Sequence, residues 1–256
     1  MLRIASVAQG MITKGQPMIR HLPMFLSGLT AGRSLPSVAP QPFRDILPTI
    51  KQDVPNPKGK IAIFTGCLLD FVYVDIATDV VKALNMAGYI VEMPLGQACC
   101  GAPATYMGDV ENAKKAAEMN LNAMEAEKYD YIVSACPTCT HALRDYVDFF
   151  KDNPEMLKKA EELRSKTFDF CKLVSMLGGL PDTGDGVPMK VTYHDSCHLN
   201  RYLGVTKEQR ELLKATKGVE LIEMHDCDKC CGFGGSYSVK FPEMSAPILE
   251  EKINNI

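Results

Sequence analysis

The stretch "GKIAIFTGC" at residues 59–67 returns as "MKVTYHDSC" at residues 189–197, an offset of 130 residues (189 − 59). Both stretches are rich in β-branched and aromatic residues, and both end at a cysteine. Each therefore predicts a short buried strand that places a thiol at its carboxyl end. The chain is expected to contain an internal duplication.

A cysteine doublet repeats at an offset of 131 residues (230 − 99), one more than that of the strands. Cys67 is followed, after the 31 residues 68–98, by "CCG" at 99–101, and Cys197 is followed, after the 32 residues 198–229, by "CCGFGG" at 230–235. Adjacent side chains point apart in extended backbone, so both thiols can reach one centre where the chain turns sharply. The glycine after each doublet permits such a turn.

The segments between these cysteines also correspond. In the first copy, Ile76, Val80 and Leu84 recur at helical spacing in "VDIATDVVKALNMAGY", and "TKEQRELLKATKG" takes the same place in the second. The strands "YIVEMP" and "VELIEM" then lead into the two doublets. Each copy is predicted to run strand, helix, strand, doublet.

A pair of cysteines with CxxC spacing follows the first doublet. "DVENAKKAAEMNLNAMEAEK" predicts an amphipathic helix, and "YDYIVSACPTCTHALRDYVDFF" predicts a strand that ends at Cys136 and Cys139 before another helix. Alternating strands and helices predict an α/β fold of two pseudo-repeated domains, each with a parallel sheet flanked by helices. Ligands bind beyond the carboxyl ends of such strands, where the cysteine clusters are expected.

Five cysteines of the first copy can therefore share one site. A structural zinc ion or a cubane cluster takes four ligands, so a fifth thiolate suggests a larger or less symmetric metal body. Soft thiolates select iron–sulfur clusters or zinc over magnesium and calcium. The five are Cys67, Cys99, Cys100, Cys136 and Cys139.

Composition excludes several classes of protein. The chain has 256 residues, 46% hydrophobic content and a net charge of -3, with no basic stripe for nucleic acid. The sequence contains no apolar run of transmembrane length and no secretory leader. Ten cysteines suit a reducing compartment and metal or redox work, so a cytoplasmic protein is expected.

The spacing of cysteine, about 30 residues, "CCG", about 34 residues and "CxxC" resembles the cysteine-rich CCG domain. This domain occurs in one of the subunits of heterodisulfide reductase and in the iron–sulfur subunits of glycolate oxidase and lactate utilisation systems. The resemblance covers residues 59–256, and "HDSCHLNRYLGV" and "CCGFGGSYSVKFPEMS" are similar to the glycolate and lactate branch. It implies a [4Fe–4S] cluster, noncubane in the heterodisulfide reductase branch, held by five cysteines.

The resemblance also implies a role. The protein is expected to be an electron-transfer subunit, without catalytic residues, of a flavin-dependent 2-hydroxy-acid dehydrogenase complex. FAD is expected only on a partner subunit. Peripheral membrane association through the complex is an open alternative. The alternatives are a heterodisulfide-reductase-like subunit that reduces disulfides, and a structural zinc-binding interaction module. The implied ligands are Cys67, Cys99, Cys100, Cys136, Cys139, Cys197, Cys230 and Cys231.

The sequence departs from the family pattern at both ends. The expected division is an N-terminal helical and linker segment 1–58, a first repeat 59–187 and a second repeat 188–256. In the glycolate and lactate branch that the chain resembles, a ferredoxin-like module usually precedes this domain, and here a partner is expected to supply it. A second "CxxC" would begin near position 267, from Gly232 plus the 35-residue step of the first copy, so the second repeat is expected to be incomplete.

Four further residues are expected to be structural or have more than one possible role. Cys171, in "FDFCKLVSML", is expected to be a small core residue. Cys227 forms a CxxC with Cys230 and is a substitute ligand or a peripheral thiol. His194 and His198, on either side of Cys197, are metal ligands, donors to cluster sulfur, or satisfied histidines at a strand end. A linker helix over "MIRHLPMFLSGL" is expected to dock on the domain.

Overall fold

The computed structural model describes residues 18–19, 35–181 and 186–256. Residues 20–29 of the expected linker helix lie outside the described residues. Its first two residues form strand β1 (Met18–Ile19), which pairs antiparallel with β2 (Leu35–Pro36).

The first repeat is built on a four-stranded parallel sheet with the order β4-β3-β5-β6. The strand that ends before Cys67 and the strand that ends before Cys136 are neighbours at its centre. Sequence analysis missed β6, which is only three residues long. The strands are β3 (Gly59–Ile63), β4 (Tyr89–Glu92), β5 (Tyr131–Ser134) and β6 (Thr167–Asp169).

Eight helices accompany this sheet in the described part of the chain. Short 3-10 turns lie at Leu47–Thr49, Ala126–Lys128 and Tyr146–Phe149. The helices are α1 (Phe43–Ile46), α2 (Gly66–Phe71), α3 (Val74–Met86), α4 (Ala102–Tyr106), α5 (Val110–Met124), α6 (Pro137–Asp145), α7 (Pro154–Lys166) and α8 (Phe170–Met176).

Side-chain alternation along β3 creates two cores. Ile61 and Ile63 pack with α1, α2, α3 and α8 on one face, whereas Ala62 packs with α5, α6 and α7 on the other. The predicted apolar face of α3 is confirmed at Val80 and Leu84, which are buried, and is wrong at Ile76, which is 45% exposed while Ala77 is buried. The result is a sheet between two helical layers, as the α/β class requires.

The strand order creates a crevice at the centre of the sheet. The chain leaves β3 toward β4 on one side and then returns to form β5 on the other side. Neighbouring connections therefore diverge above the carboxyl ends of β3 and β5, and ligands of open α/β sheets bind at such a switch point.

The second repeat has a two-stranded parallel sheet, β7 (Met189–Val191) with β8 (Val219–Leu221). A π-helical turn, His198–Tyr202, contacts α6, and α9 contacts α8, so the two repeats pack against each other. The remaining helices are α9 (Glu208–Ala215), α10 (Tyr237–Lys240) and α11 (Pro242–Ile253). Across the described ranges, no helix has the length and apolarity needed to cross a bilayer.

Candidate metal centre

Five thiols of the first repeat meet at the switch point of the sheet. Cys67 lies in the first turn of α2, just after β3, and Cys136 caps the start of α6, just after β5. The doublet follows β4 and leads into α4. Cys67 and Cys99, and likewise Cys100 and Cys139, lie close enough for each thiol to shift the pKa of the other. The same holds for the two doublet thiols and for Cys139 with Cys136.

Gly101 turns the chain sharply after the doublet. Its φ is 81°, and a Cβ there would lie 3.2 Å from the carbonyl oxygen of Ala113. The turn leaves Cys99 exposed and Cys100 buried, yet both thiols belong to the same group. The expected role of the glycine in joining two adjacent thiols at one centre is therefore visible in the backbone.

Asn120 and Tyr146 hold the doublet from two other elements. The amide oxygen of Asn120 accepts from Ala98 N at 2.8 Å, and its Nδ2 donates to Cys99 O at 2.9 Å. The hydroxyl of Tyr146 donates to Cys100 O at 2.9 Å. Nδ2 of Asn120 also donates to the Tyr146 hydroxyl at 2.9 Å, and both side chains are buried. These bonds fix the carbonyls, and hence the thiols, of the doublet.

Gln97 ties the doublet loop to the end of β3. Its Oε1 accepts from Thr65 N at 3.2 Å, and its Nε2 donates to Ile63 O at 2.8 Å. Gln97, Asn120 and Tyr146 were not among the residues predicted from the sequence. Asn120 could have been found from the sequence, because it is a polar residue on the buried face of a predicted amphipathic helix. A buried amide without hydrogen-bond partners is costly, so such a residue is expected to bond another element.

Mutual hydrogen bonding separates the pKa values of the thiols. Hydrogen bonds from Cys100 and then Cys67 lower the pKa of Cys99 to about 2. A hydrogen bond from Cys139 lowers the pKa of Cys100, but its bond to Cys99 and its burial raise the value to about 12.

Neighbouring thiols also shift the pKa values of the other three cysteines. The bond to Cys99 and burial raise the pKa of Cys67, and the bond to Cys100 raises that of Cys139 well above its ordinary value. A bond from Cys139 lowers the pKa of Cys136 to about 7. One ionised thiol thus opposes ionisation of its neighbours, and full ionisation of the group requires a positively charged occupant.

Three thiols of the second repeat also converge. Burial, and next the charge of Cys230, raise the pKa of Cys197, with Cys231 and a hydrogen bond to Cys230 adding to the effect. Gly232 has a φ of 73°, and a Cβ there would lie 2.5 Å from Ser245 O, so this doublet also turns at its glycine.

Cys227 bonds a carboxylate and not one of those three thiols. Its Sγ donates to Oδ2 of Asp195 at 3.3 Å, and Asp195 forms two bonds with Arg210, at 2.8 and 3.0 Å. In this arrangement Cys227 is a peripheral thiol. Cys171 lies on α8 with a partly buried side chain, and burial raises its pKa to about 12.

The two histidines beside Cys197 have protein partners. Nδ1 of His194 lies 3.0 Å from Cys227 O, and Nε2 of His198 lies 2.8 Å from the hydroxyl of Tyr106. Among residues 35–181 and 186–256, no three His, Cys, Asp or Glu side chains surround one point as the ligands of a single ion would. The thiols instead contact one another.

The fold and the site define a duplicated α/β protein with a thiol centre in each half. The family model of the CCG "Cysteine-rich domain" matches residues 61–144 and 191–256. The chain belongs to this cysteine-rich CCG domain family, which confirms the resemblance drawn from the sequence.

Curated relatives share most of the chain. "Lactate utilization protein A" of Bacillus velezensis is 37% identical over 194 residues, which cover 76% of this chain and 81% of the relative. The protein of the same name from Shouchella clausii is 38% identical over 196 residues, 77% of this chain and 81% of the relative. The one from Bacillus subtilis is 36% identical over 194 residues, again 76% and 81%.

Proposed function

We propose that this protein is an iron–sulfur electron-transfer subunit of a lactate-utilisation complex that contains a flavin-dependent 2-hydroxy-acid dehydrogenase. The observation that carries the proposal is the contact of five thiols at the switch point of a parallel sheet. Under this proposal they hold one [4Fe–4S] cluster, noncubane because five ligands exceed the four of a cubane.

The donor set supports a multiply charged occupant. All five side chains are soft thiols, each beside at least one other member of the group, and neighbouring thiols contribute to the raised pKa values of Cys67, Cys100 and Cys139. Iron ions would remove that mutual opposition, since a coordinated thiol loses its proton outright. When bound, the cluster supplies one-electron storage and transfer.

The residues of this chain position the thiols. The bonds from Asn120 and Tyr146 to the doublet carbonyls orient Cys99 and Cys100, and Gln97 holds the same loop against β3. Supporting residues of this kind tune affinity and reduction potential. The proposal assigns no catalytic residue.

The second repeat is proposed to hold a second centre through Cys197, Cys230 and Cys231. Their convergence and the turn at Gly232 reproduce the first site with fewer thiols. The division into residues 1–58, 59–187 and 188–256 belongs to the same proposal.

The partners follow from the names of the relatives and from thiol exposure. The relatives are lactate utilization proteins, so lactate is the proposed substrate of the whole complex. Cys67, Cys99 and Cys230 are exposed. This exposure supports the proposal that both centres are accessible to a docked flavin subunit and a ferredoxin-like subunit. A reducing cytoplasm would keep these thiols available.

Metal analysis tests the proposal directly. Iron, acid-labile sulfide and zinc should be measured per chain on protein purified without oxygen, in the wild type and in Cys139→Ser and Cys171→Ser. We expect about four of each of iron and sulfide for one cluster, or about eight for two. Cys139→Ser should lose the first-site iron, whereas Cys171→Ser, a matched cysteine outside the thiol group, should keep it.

Other results would select the alternatives. Zinc without sulfide, even after attempted reconstitution, would overturn the electron-transfer proposal in favour of a structural module. A cluster spectrum that changes on addition of an organic disulfide would favour a disulfide-reducing subunit instead.

A further inference from the structure

Four aromatic rings lie between the two cysteine sets. Tyr106 ends α4, six residues after Cys100, and His141 lies on α6, two residues after Cys139. His198 and Tyr202 begin and end the π-helical turn that follows Cys197. We call Tyr106, His141, His198 and Tyr202 the aromatic bridge.

The rings of the bridge are in contact. The rings of His141 and Tyr202 stack with centroids 4.5 Å apart and planes at 24°, and those of His198 and Tyr202 stack at 5.3 Å and 29°. The hydroxyl of Tyr106 lies 2.8 Å from Nε2 of His198. The bridge thus joins α4 and α6 of the first repeat to the π-helical turn of the second.

The central hydrogen bond of the bridge joins the hydroxyl of Tyr106 and Nε2 of His198. His141 has a further partner within its own helix, since its Nδ1 lies 2.9 Å from Oδ2 of Asp145.

The bridge differs from ordinary core packing. Tyr106 is 61% exposed and Tyr202 is 62% exposed, so burial of these two rings contributes little to their placement. π-helical turns are uncommon and occur frequently at functional sites. Each ring also belongs to an element that starts next to a thiol of a site.

We propose that the aromatic bridge couples the two cysteine sites, so that occupation of the first site by metal raises the affinity of the second. This inference rests on the proposed function, because it treats both thiol sets as metal sites. Tyr106 and His198 act as positioning residues and touch no metal.

The physical basis is shared ordering. Metal bound by Cys99 and Cys100 fixes the turn that begins α4, and α4 ends at Tyr106. The hydrogen bond then holds His198, the residue after Cys197, in place. Metal binding at the first site has then already ordered the segment that carries Cys197. Binding at the second site loses less conformational entropy, so its affinity for metal is higher.

Cadmium is a suitable probe because it binds thiolates whatever the native occupant is. The reduced, metal-free full chain should be titrated with Cd²⁺, and protection of Cys230 and Cys231 from iodoacetamide should be mapped by peptide mass spectrometry. In Tyr106→Phe, which keeps the ring and loses the hydroxyl, we expect the midpoint for second-site protection to rise about three- to tenfold, the effect of one hydrogen bond.

Tyr129→Phe is the matched control. It also removes a tyrosine hydroxyl bond, to Glu92 at 3.2 Å, and Glu92 belongs to neither cysteine set nor the aromatic bridge. Its second-site midpoint should equal that of the wild type. Cys99→Ser should raise the second-site midpoint in the wild-type background and leave it unchanged in the Tyr106→Phe background.

Two results would overturn the coupling. One is a second-site midpoint in Tyr106→Phe equal to that in Tyr129→Phe. The other is a second-site midpoint insensitive to Cys99→Ser. Tyr202→Leu, which removes the stacking and leaves the hydroxyl of Tyr106, gives an independent measurement and should also raise the midpoint. Wild-type protein that takes up no iron would contradict the proposed function and leave the Cd²⁺ result intact.

Discussion

The sulfur of Cys139 lies 2.8 Å from the position that a Cβ on Gly66 would occupy. Gly66 has a φ of 56° and immediately precedes Cys67. The end of β3 and the first turn of α6 therefore approach each other at the one residue type that has no side chain. This contact allows Cys67 and Cys139 to join the same thiol group.

Gly66→Ala should disrupt the first site. The added methyl group would meet Cys139, so we expect loss of most first-site iron in addition to a strain cost of about 1–2 kcal/mol for a left-handed residue. Iron per chain and urea unfolding of the metal-free protein measure the two effects separately.

Gly108→Ala is the control for Gly66→Ala, because it introduces the same backbone strain without a contact to a thiol. Gly108 has a φ of 83°, and a Cβ there would meet nothing within 4 Å. This variant should lose similar stability and keep its iron. Equal iron contents in the two alanine variants would show that the contact between Gly66 and Cys139 is not needed for the site.

Tyr146→Phe should loosen the doublet while preserving the core. The change removes the donor to Cys100 O and the acceptor for Asn120, and both lie in a buried setting. We expect a loss of about 1–2 kcal/mol in the free energy of unfolding of the metal-free protein. The loaded protein should also show an altered electron paramagnetic resonance spectrum.

Tyr129→Phe serves again as the control, since it removes a tyrosine hydroxyl bond to Glu92, which belongs to neither cysteine set. It should leave the spectrum unchanged. A Tyr146→Phe spectrum identical to the wild type would limit Tyr146 to a structural role.

Cys99 should be reactive in the metal-free protein even in mild acid. Its pKa of about 2 lies below the range of pH 5 to 8, so its thiolate fraction, and its rate of alkylation by iodoacetamide, should stay nearly constant there. The pKa of Cys171 is raised to about 12, so its rate of alkylation should rise about tenfold for each unit by which the pH rises. Peptide mass spectrometry at several pH values gives both rates. A tenfold rise per unit at Cys99 would contradict the hydrogen-bonded thiolate.

Asp169 should make the metal-free protein less stable as pH rises. Burial raises its pKa from 3.8 to about 6, so the folded state binds more protons than the unfolded state between these values. Its contribution is complete below about pH 4 and is lost as pH rises through about 6. The loss is on the order of 2 kcal/mol by pH 7.

Asp169→Asn should remove that dependence. An asparagine oxygen can still accept from Cys171 N, which now bonds Oδ1 of Asp169 at 2.9 Å, so the start of α8 is preserved. Urea unfolding of both metal-free proteins at pH 4 and pH 7 measures the difference. The wild type should lose about 2 kcal/mol more than the variant over this range. Equal slopes would show that Asp169 titrates normally.

Local patterns predicted the thiol-bearing elements well. β3, β5 and the helices between them appear where the periodicity placed them, because a buried strand and an amphipathic helix each leave a local signature. The one-residue error at Ile76 arose because the whole apolar face of α3 cannot be located without the sheet that covers it.

The supporting residues required long-range information. Tyr146 and the doublet carbonyl that it binds are 46 residues apart, and Tyr106 and His198 are 92 residues apart. No spacing rule connects such pairs, since the contact depends on how β4, β5 and the π-helical turn are placed in space.

The sequence by itself determined the duplication, the α/β alternation and the identity of the clustered cysteines. Each of these depends on local periodicity or on the fixed spacing of a repeated unit. Tertiary structure decided which thiols touch, that Cys227 bonds Asp195 and not Cys230, and that four rings connect the two sites. Those outcomes depend on the strand order, which brings the carboxyl ends of β3 and β5 together, and on the packing of one repeat against the other.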